Sequence, residues 1–583
     1  MRPEKLAEST ASGSHPDFRF EIKWVLLALV IVWTAICFRL GDLPLEQPDE
    51  GRNAEVAREM KESGAWLVPT YDGMAYLDKP AFYFKAVAIS LACFGDSETA
   101  ARMPSAAFGI GLAGLIYIFC RREYGVRCAA LATMVLATTP LFLVNAHTVI
   151  FDIALSFFTV LAIFAGYRAE ESEGKSRRYW YLTGAVAAGF ATLVKGPIGF
   201  LIPGLVLFVF HRYLGRRGLL RRFFAPLNLL VFFVVVLPWF VGLSLVHRDF
   251  AYYGLVEESF NRFTTTEFHR SKPFYFYGII VVGMFLPWSL LLPEAAVAAW
   301  KSRRDRARPD VLCIVWAVVV VIFFSLSQSK MPGYILSATV PCAVLVARIF
   351  DRAWADPRAK LGRIARHAAI AFIVICLVGM AATFFLSSHT HLLAQPLGIS
   401  VADAARFKLY ITTASAMLLF FALFALLGLR QWNVKLCFIC FVLFPLLLLN
   451  INYGILDVVF SAKSARTLAH QIPALPPRTE LACLECFPSG LTFYLGRTAT
   501  LITADGGELT SNYILFSLKS GRPWPSNLVA VSQLDHWLAT RDHPVYLVVR
   551  LQDRSQLEAI TAGRKTTIQQ LTPLYVAALL PPF

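Results

Sequence analysis

The sequence predicts a polytopic α-helical membrane protein, with about thirteen transmembrane helices over residues 22–452 and a small C-terminal α/β soluble domain over 453–583. Three observations carry this. Hydrophobic residues are 57% of the 583 and charged residues only 16%, too little charge to cover a soluble protein of this size. The apolar residues gather into runs that approach the roughly 20 residues a helix needs to cross a hydrocarbon core. Basic residues recur in alternate loops, as they do on the cytoplasmic side of membrane proteins.

Residues 1–21 are polar and are expected to form a cytoplasmic tail. The first apolar run, Trp24 to Cys37, has no small-residue cleavage site behind it and reads as an uncleaved first helix. The candidate spans lie near 22–39, 104–120, 128–145, 150–167, 180–195, 197–212, 224–245, 275–294, 311–327, 333–349, 367–387, 408–429 and 434–452. With the N-terminus cytoplasmic, the clusters beginning at Arg121, Arg168, Arg212, Lys301, Arg352 and Arg430 all fall on one side. A missed helix would have put later clusters on the other side, so the loops support both count and orientation. The net charge of +16 follows from this arrangement. Nucleic-acid binding is not expected, because the basic loops lack interleaved aromatics and a recognition motif.

The opposite, outer side then receives a first loop at 40–103, a second at 246–274, a short link at 328–332 and the C-terminal domain. In the first loop Ala54–Gly64 reads as an amphipathic helix and Phe82–Phe94 as an apolar segment carrying Lys85, both suited to the membrane interface plane. The tail mixes helical stretches with strand-like Val545–Val549 and Leu574–Leu580. Most cysteines lie in or beside apolar runs. Cys483 and Cys486 form a C-x-x-C that reads as a local disulfide or two free thiols, since no second ligand pair for zinc accompanies it.

The polar residues with chemical promise gather on that same outer side. Asp49 and Glu50 follow a proline and open a helix, where acids are favoured by the dipole and as caps; the same placement would hold a carboxylate rigidly for base chemistry. Asp78-Lys79-Pro80 puts an acid and a base on an extended backbone. Lys79 suits a lipid phosphate or a snorkelling position. Lys195 ends a helix at "VKGP", Glu258 and Arg262 stand four residues apart as a helical ion pair, and Lys330 and Tyr334 sit at the mouth of the tenth span. Charges so near a membrane boundary are costly unless paired, hydrated or used. Several cations facing one region favour a phosphate-binding cavity. Asp152 lies just inside the fourth span, and His269 precedes the eighth.

The stretch "QPDEGRNAEVAREMKESGAWLVPTYDGMAYLDKPAFYF" resembles the bacterial 4-amino-4-deoxy-L-arabinose lipid A transferase family, which is related to the protein O-mannosyltransferases. The resemblance continues in order through "VKGP" at 194–197, "ESFNRF" at 258–263, "HRSKPFYFY" at 269–277, "LPW" at 286–288 and "KMPGYILS" at 330–337, with "FYLGR" at 493–497 in the tail. It implies a GT-C type glycosyltransferase of the bacterial inner membrane, with thirteen transmembrane helices and a periplasmic domain. The implied donor is a sugar on a polyprenyl phosphate, usually undecaprenyl phosphate. Its sugar is passed with inversion to lipid A or another periplasm-facing lipid or glycan. No nucleotide cofactor is expected, and no P-loop or G-x-G-x-x-G fingerprint is present.

Carried over by motif, Asp49 with Glu50 supplies the catalytic carboxylate, and Asp152 matches a second cavity acid. Arg52, Lys79 and Tyr334 fall where relatives contact the donor phosphate, with Lys195 and Lys330 beside them. Asp78 and His269 match positions that bracket a zinc ion in relatives, where glutamate often replaces Asp78. A monomer working among membrane lipids is expected. Two other readings remain: mannosyl or other glycosyl transfer to protein or glycan, and a transporter or flippase of lipid-linked sugar. A transporter should place its polar groups near the midplane with repeat symmetry; here they gather at the outer ends and no repeat is visible.

Overall fold

Each of the thirteen apolar runs falls on a helix in the computed structural model, which describes residues 18–582 except 217, 266–269, 302–307, 359, 395–400, 522 and 565. Among the described residues, eight helices are long and apolar enough to cross a membrane, or ten if two bent pairs each count as one span. A count of thirteen is therefore not reached on length and hydropathy. The remaining runs coincide with helices Phe18–Cys37, Gly174–Lys195 and Ile198–Tyr213, which are shorter or less apolar.

Both bent pairs break at proline. Val126–Ala137 and Pro140–Ala146 meet at 69°, and Phe276–Met284 and Trp288–Lys301 at 107°. Proline disfavours helical backbone at the residue before it and is at home in the first turn of the next helix. Pro140 opens the second helix of its pair, and Pro287 is the residue just before Trp288 in the other.

The first loop is packed against protein along much of its length. Its helix Asp49–Ser63 is buried without a break from Glu50 to Met60, although the run carries five charged side chains. Protein partners replace water along it. Arg58 pairs with Glu55 and Glu62, and Glu59 accepts from the Thr70 hydroxyl at 2.6 Å and the Gly73 N–H at 3.1 Å. The helix packs on Phe82–Phe94, which carries Tyr83, Phe84, Val87 and Leu91 into the same core.

Between these helices lies a hairpin, β1 (Thr70–Tyr71) and β2 (Met74–Ala75), turned by Asp72-Gly73. Both turn residues have positive φ, 52° and 73°, the conformation for which Asp-Gly is a preferred pair.

The C-terminal domain is a six-stranded sheet: β3 (Glu480–Leu484), β4 (Thr500–Thr503), β5 (Leu528–Ala530), β6 (Val545–Arg550), β7 (Ile568–Gln570) and β8 (Tyr575–Leu580), in the order β5-β4-β3-β6-β8-β7. The first four are parallel, and β8 closes antiparallel on β6. The buried runs Leu481-Ala482-Cys483-Leu484 and Val545–Val549 are central strands covered on both faces. Cys483 and Cys486 are buried free thiols in this core. The last membrane helix runs through Val434–Lys463, beyond the expected boundary at 452.

The domain is bound closely to the first loop. Gly51 faces the Ser489–Gly490 peptide so closely that a Cβ would lie 2.5 Å from the Ser489 oxygen. Asp72 accepts from the Ala499 N–H at 2.8 Å. Burial pushes Asp72 up to about 8 against that hydrogen bond, and burial with the Glu55 charge pushes Glu59 up to about 7. A carboxyl raised above its unfolded value, roughly 4, contributes stability that is complete below that value and is lost as pH rises through the folded one. We expect the Tm of the purified protein to fall between pH 5 and 9, with a shallower fall in Asp72→Asn.

Candidate active site

The two adjacent acids of the first loop do different things. Asp49 and Glu50 begin one helix, so their side chains leave it about 100° apart. Glu50 turns inward and is only 1% exposed. Its carboxylate accepts two hydrogen bonds from Arg102, at 2.8 and 3.0 Å, and one each from the N–H groups of Val149 and Glu46. Four donors engage it, which suits a carboxylate that holds the loop in place. Asp49 stays 29% exposed and pairs with Arg52 one helical turn on. Burial works to raise its carboxyl, but Arg52, Arg270 and Arg262 outweigh it and hold it below the ordinary carboxylate value.

Lys79, Lys195, Glu258, Arg262 and Tyr334 line one cavity of about 450 Å³, although up to 255 residues separate them in the chain. Glu258 binds both Lys79 and Arg262. Burial works to raise Glu258, and Arg262 and Lys79 overcome it, holding the carboxyl below its ordinary value. Burial draws Lys79 below the usual lysine range against the pull of Glu258. Arg262 also reaches the Tyr334 hydroxyl at 3.4 Å. The Lys195 ammonium lies 4.2 Å from the centre of the Tyr334 ring and pairs with Asp152. Three cations thus meet two carboxylates and a phenol. Most of the rest of the wall is apolar and includes Leu201, Phe240, Phe260, Phe323 and Phe324, with Asp78, Ser259, Ser327 and Ser329 also in the lining.

Asp152 therefore orients Lys195, and it requires a glycine opposite. A Cβ on Gly333 would lie 2.7 Å from Asp152 Oδ2 and 3.3 Å from Asn145 Oδ1. Gly333→Ala is expected to displace Asp152 from Lys195 and to raise the KM for a phosphate-bearing substrate roughly tenfold, with a stability loss of about 1–3 kcal/mol. Steady-state kinetics and a melting curve check both.

Of the remaining candidates, Asp78 also lines this cavity, whereas Arg52 and Lys330 are not part of its lining. Arg52 is buried against Asp49 and donates to the carbonyl and hydroxyl of Thr510 at 3.0 and 2.6 Å. Lys330 is buried beside the Ser271–Ser329 backbone pairing, its backbone N–H donating to the Arg270 carbonyl at 3.1 Å. His269 lies outside the described residues. Asp78 does not fit a metal ligand. Its oxygens accept from the Tyr253 hydroxyl at 2.7 Å and from the N–H groups of Tyr513 and Asn512 at 2.6 and 3.0 Å. Among the described residues no three His, Cys, Asp or Glu side chains converge as a metal site would.

Sequence reasoning missed the contribution of the C-terminal domain. Thr510 holds Arg52, Asn512 reaches Glu258 at 3.3 Å, and Asp78 receives the first N–H groups of helix Asn512–Lys519. Ser511 caps that helix by accepting from the Ile514 N–H, and "TSNYI" carries the serine signal for such a start. Nothing local signals that this start lies over residues more than 400 positions earlier.

Residues 78–241 match the family described as dolichyl-phosphate-mannose-protein mannosyltransferase. The chain is 32% identical to undecaprenyl phosphate-alpha-4-amino-4-deoxy-L-arabinose arabinosyl transferase 2 of Proteus mirabilis, over 56% of its own length and 58% of the relative's. It is 30% identical to the corresponding arabinosyl transferase of Aeromonas hydrophila, over 63% of its own length and 67% of the relative's. The crystal structure of ArnT from Cupriavidus metallidurans bound to undecaprenyl phosphate superposes with a TM-score of 0.81 and 25% identity, covering 97% of this chain and 98% of that one.

Proposed function

Because the chain belongs to the undecaprenyl phosphate-4-amino-4-deoxy-L-arabinose arabinosyl transferase family, we propose that it moves 4-amino-4-deoxy-L-arabinose from undecaprenyl phosphate to lipid A. In this reading it works at the periplasmic face of the bacterial inner membrane, with its N-terminus in the cytoplasm. The observation that carries it is the single cavity in which Lys79, Lys195, Arg262 and Tyr334 meet beneath an apolar wall. Cations suit a phosphate and the apolar surface suits the prenyl chain next to it.

In the proposed reaction, the acceptor oxygen attacks the anomeric carbon from the face opposite the phosphate. The bond from that carbon to the phosphate oxygen breaks, and undecaprenyl phosphate leaves with the bonding pair. Lys79, Lys195 and Arg262 stabilise the charge that grows on it. Asp49 takes the proton of a hydroxyl acceptor, or orients an acceptor that is already a phosphate anion. Arg52 holds Asp49 in place, and Glu258 keeps Lys79 and Arg262 apart yet close enough to share one phosphate. No step passes through a metal.

The test is transfer of labelled sugar from a panel of polyprenyl-phosphate donors by the protein in lipid nanodiscs. Label appearing in lipid A supports the reading. Label in protein or in another glycan would move the acceptor, and labelled donor crossing a bilayer without transfer would make the protein a flippase.

A further inference from the structure

We infer that a second cavity, between the first loop and the C-terminal sheet, binds the head of the acceptor as a phosphorylated pyranose. The inference rests on the proposed transfer and adds where its second substrate sits.

This cavity measures about 460 Å³, within the range of small-ligand sites. One wall is Gln47 and Pro48, the two residues that lead into Asp49. Thr510 stands across from them in the same lining. Thr510 is also the residue that holds Arg52, which holds Asp49. The cavity is therefore linked to the candidate base through two consecutive hydrogen bonds. The candidate base thus follows directly on one wall of the second cavity and is hydrogen-bonded through Arg52 to another of its lining residues, Thr510.

The two cavities differ in chemistry. The basic one has an apolar wall suited to a lipid tail. The second has two aromatic faces, Phe487 and Tyr575, two carboxylates, Asp505 and Glu508, and the exposed guanidinium of Arg550. Aromatic faces stack on the C–H faces of a pyranose, and carboxylates accept from its hydroxyl and amide groups. A guanidinium pairs with a phosphate on the ring through two parallel hydrogen bonds. The Thr510 hydroxyl accepts from Arg52 at 2.6 Å, which leaves its own proton to donate. Carboxylates beside the opening disfavour a lone phosphate, so the ring and the phosphate are recognised together.

The probe is a glucosamine disaccharide bisphosphate without fatty acids, added to the full chain in nanodiscs. Saturation-transfer NMR reads binding, and transfer kinetics read the KM for acceptor and donor separately. Arg550→Gln at the exposed edge and Tyr575→Leu in the wall are compared with the native chain. The expected result is binding of the probe that Arg550→Gln weakens, with acceptor KM rising roughly tenfold in each variant and donor KM unmoved. Native-like acceptor KM and probe binding in both variants would overturn the site while leaving the transferase reading intact. Probe binding lost in Arg550→Gln, in a protein that transfers no sugar to any acceptor, would keep the site and overturn the reaction. If Tyr575→Leu fails to fold, Arg550→Gln decides alone.

Discussion

Asp49→Asn is expected to lower kcat for sugar transfer by about 10²–10⁴-fold, the usual contribution of a positioned general base, with donor binding and Tm close to native. The structure separates Asp49 from its neighbour on exposure: its side chain is 29% exposed, against 1% for Glu50. Asparagine keeps the shape and one acceptor oxygen, so Arg52 retains a partner and Thr510 stays in place. What disappears is the negative charge that accepts a proton or orients the nucleophile. That charge is present across the physiological range, because Arg52, Arg270 and Arg262 outweigh burial and hold the carboxyl low. Protonation of Asp49 should therefore cause loss of transfer only below the ordinary carboxylate range, near pH 4. The check is kcat at saturating donor across pH for both proteins. Asparagine activity within a few-fold of native would remove Asp49 from the chemistry.

Glu50→Ala is expected to cost about 3–5 kcal/mol, the usual penalty for removing one partner of a buried ion pair. That is a large part of a total commonly about 5–15 kcal/mol. Arg102 is left buried with its charge and only the carbonyls of Leu40, Leu43 and Pro44 as acceptors, at 3.2, 2.7 and 3.0 Å. The N–H groups of Val149 and Glu46 lose their acceptor as well. This one carboxylate ties the start of the first loop to helices Asp49–Ser63 and Glu98–Tyr124 and to the turn before Asp152. Thermal unfolding of the detergent-purified protein measures the loss. The double variant Glu50→Leu with Arg102→Met should recover part of it, because no buried charge is then stranded. If Glu50→Ala instead kept its Tm and lost only kcat, Glu50 would be catalytic after all.

The contrast between these adjacent acids shows where reading the chain stopped. "DEGR" marks a helix start rich in charge, and either acid fits base chemistry by type. Which one is saturated depends on Arg102 and Val149, 52 and 99 residues away, and no local pattern encodes that. Asp78 is a similar case. The family resemblance implied a ligand there, whereas the structure shows it receiving the start of a helix 434 residues later. By contrast, the four-residue spacing of Glu258 and Arg262 reads directly as a pair, because helical geometry places i and i+4 on one face. The Asp72-Gly73 hairpin was also open to reading, since that dipeptide between alternating residues is a turn signal. The burial of Glu50–Met60 was not legible in the sequence, because charge alternating with apolar residues looks the same whether water or paired side chains cover it.

By itself, the sequence determined that this is a polytopic membrane protein, where its helical segments fall, and that Glu258 and Arg262 stand one helical turn apart. Those conclusions rest on composition, on the length of apolar runs and on short-range periodicity, which are properties of neighbouring residues. Only the tertiary structure decided that Glu258 holds two cations at once, that Asp49 rather than Glu50 keeps an open face, and that Thr510, Asn512 and Tyr513 complete the site from the far end of the chain. Each is a contact between residues remote in sequence, and the partner of a buried charge is set by where the packed elements place the nearest opposite group.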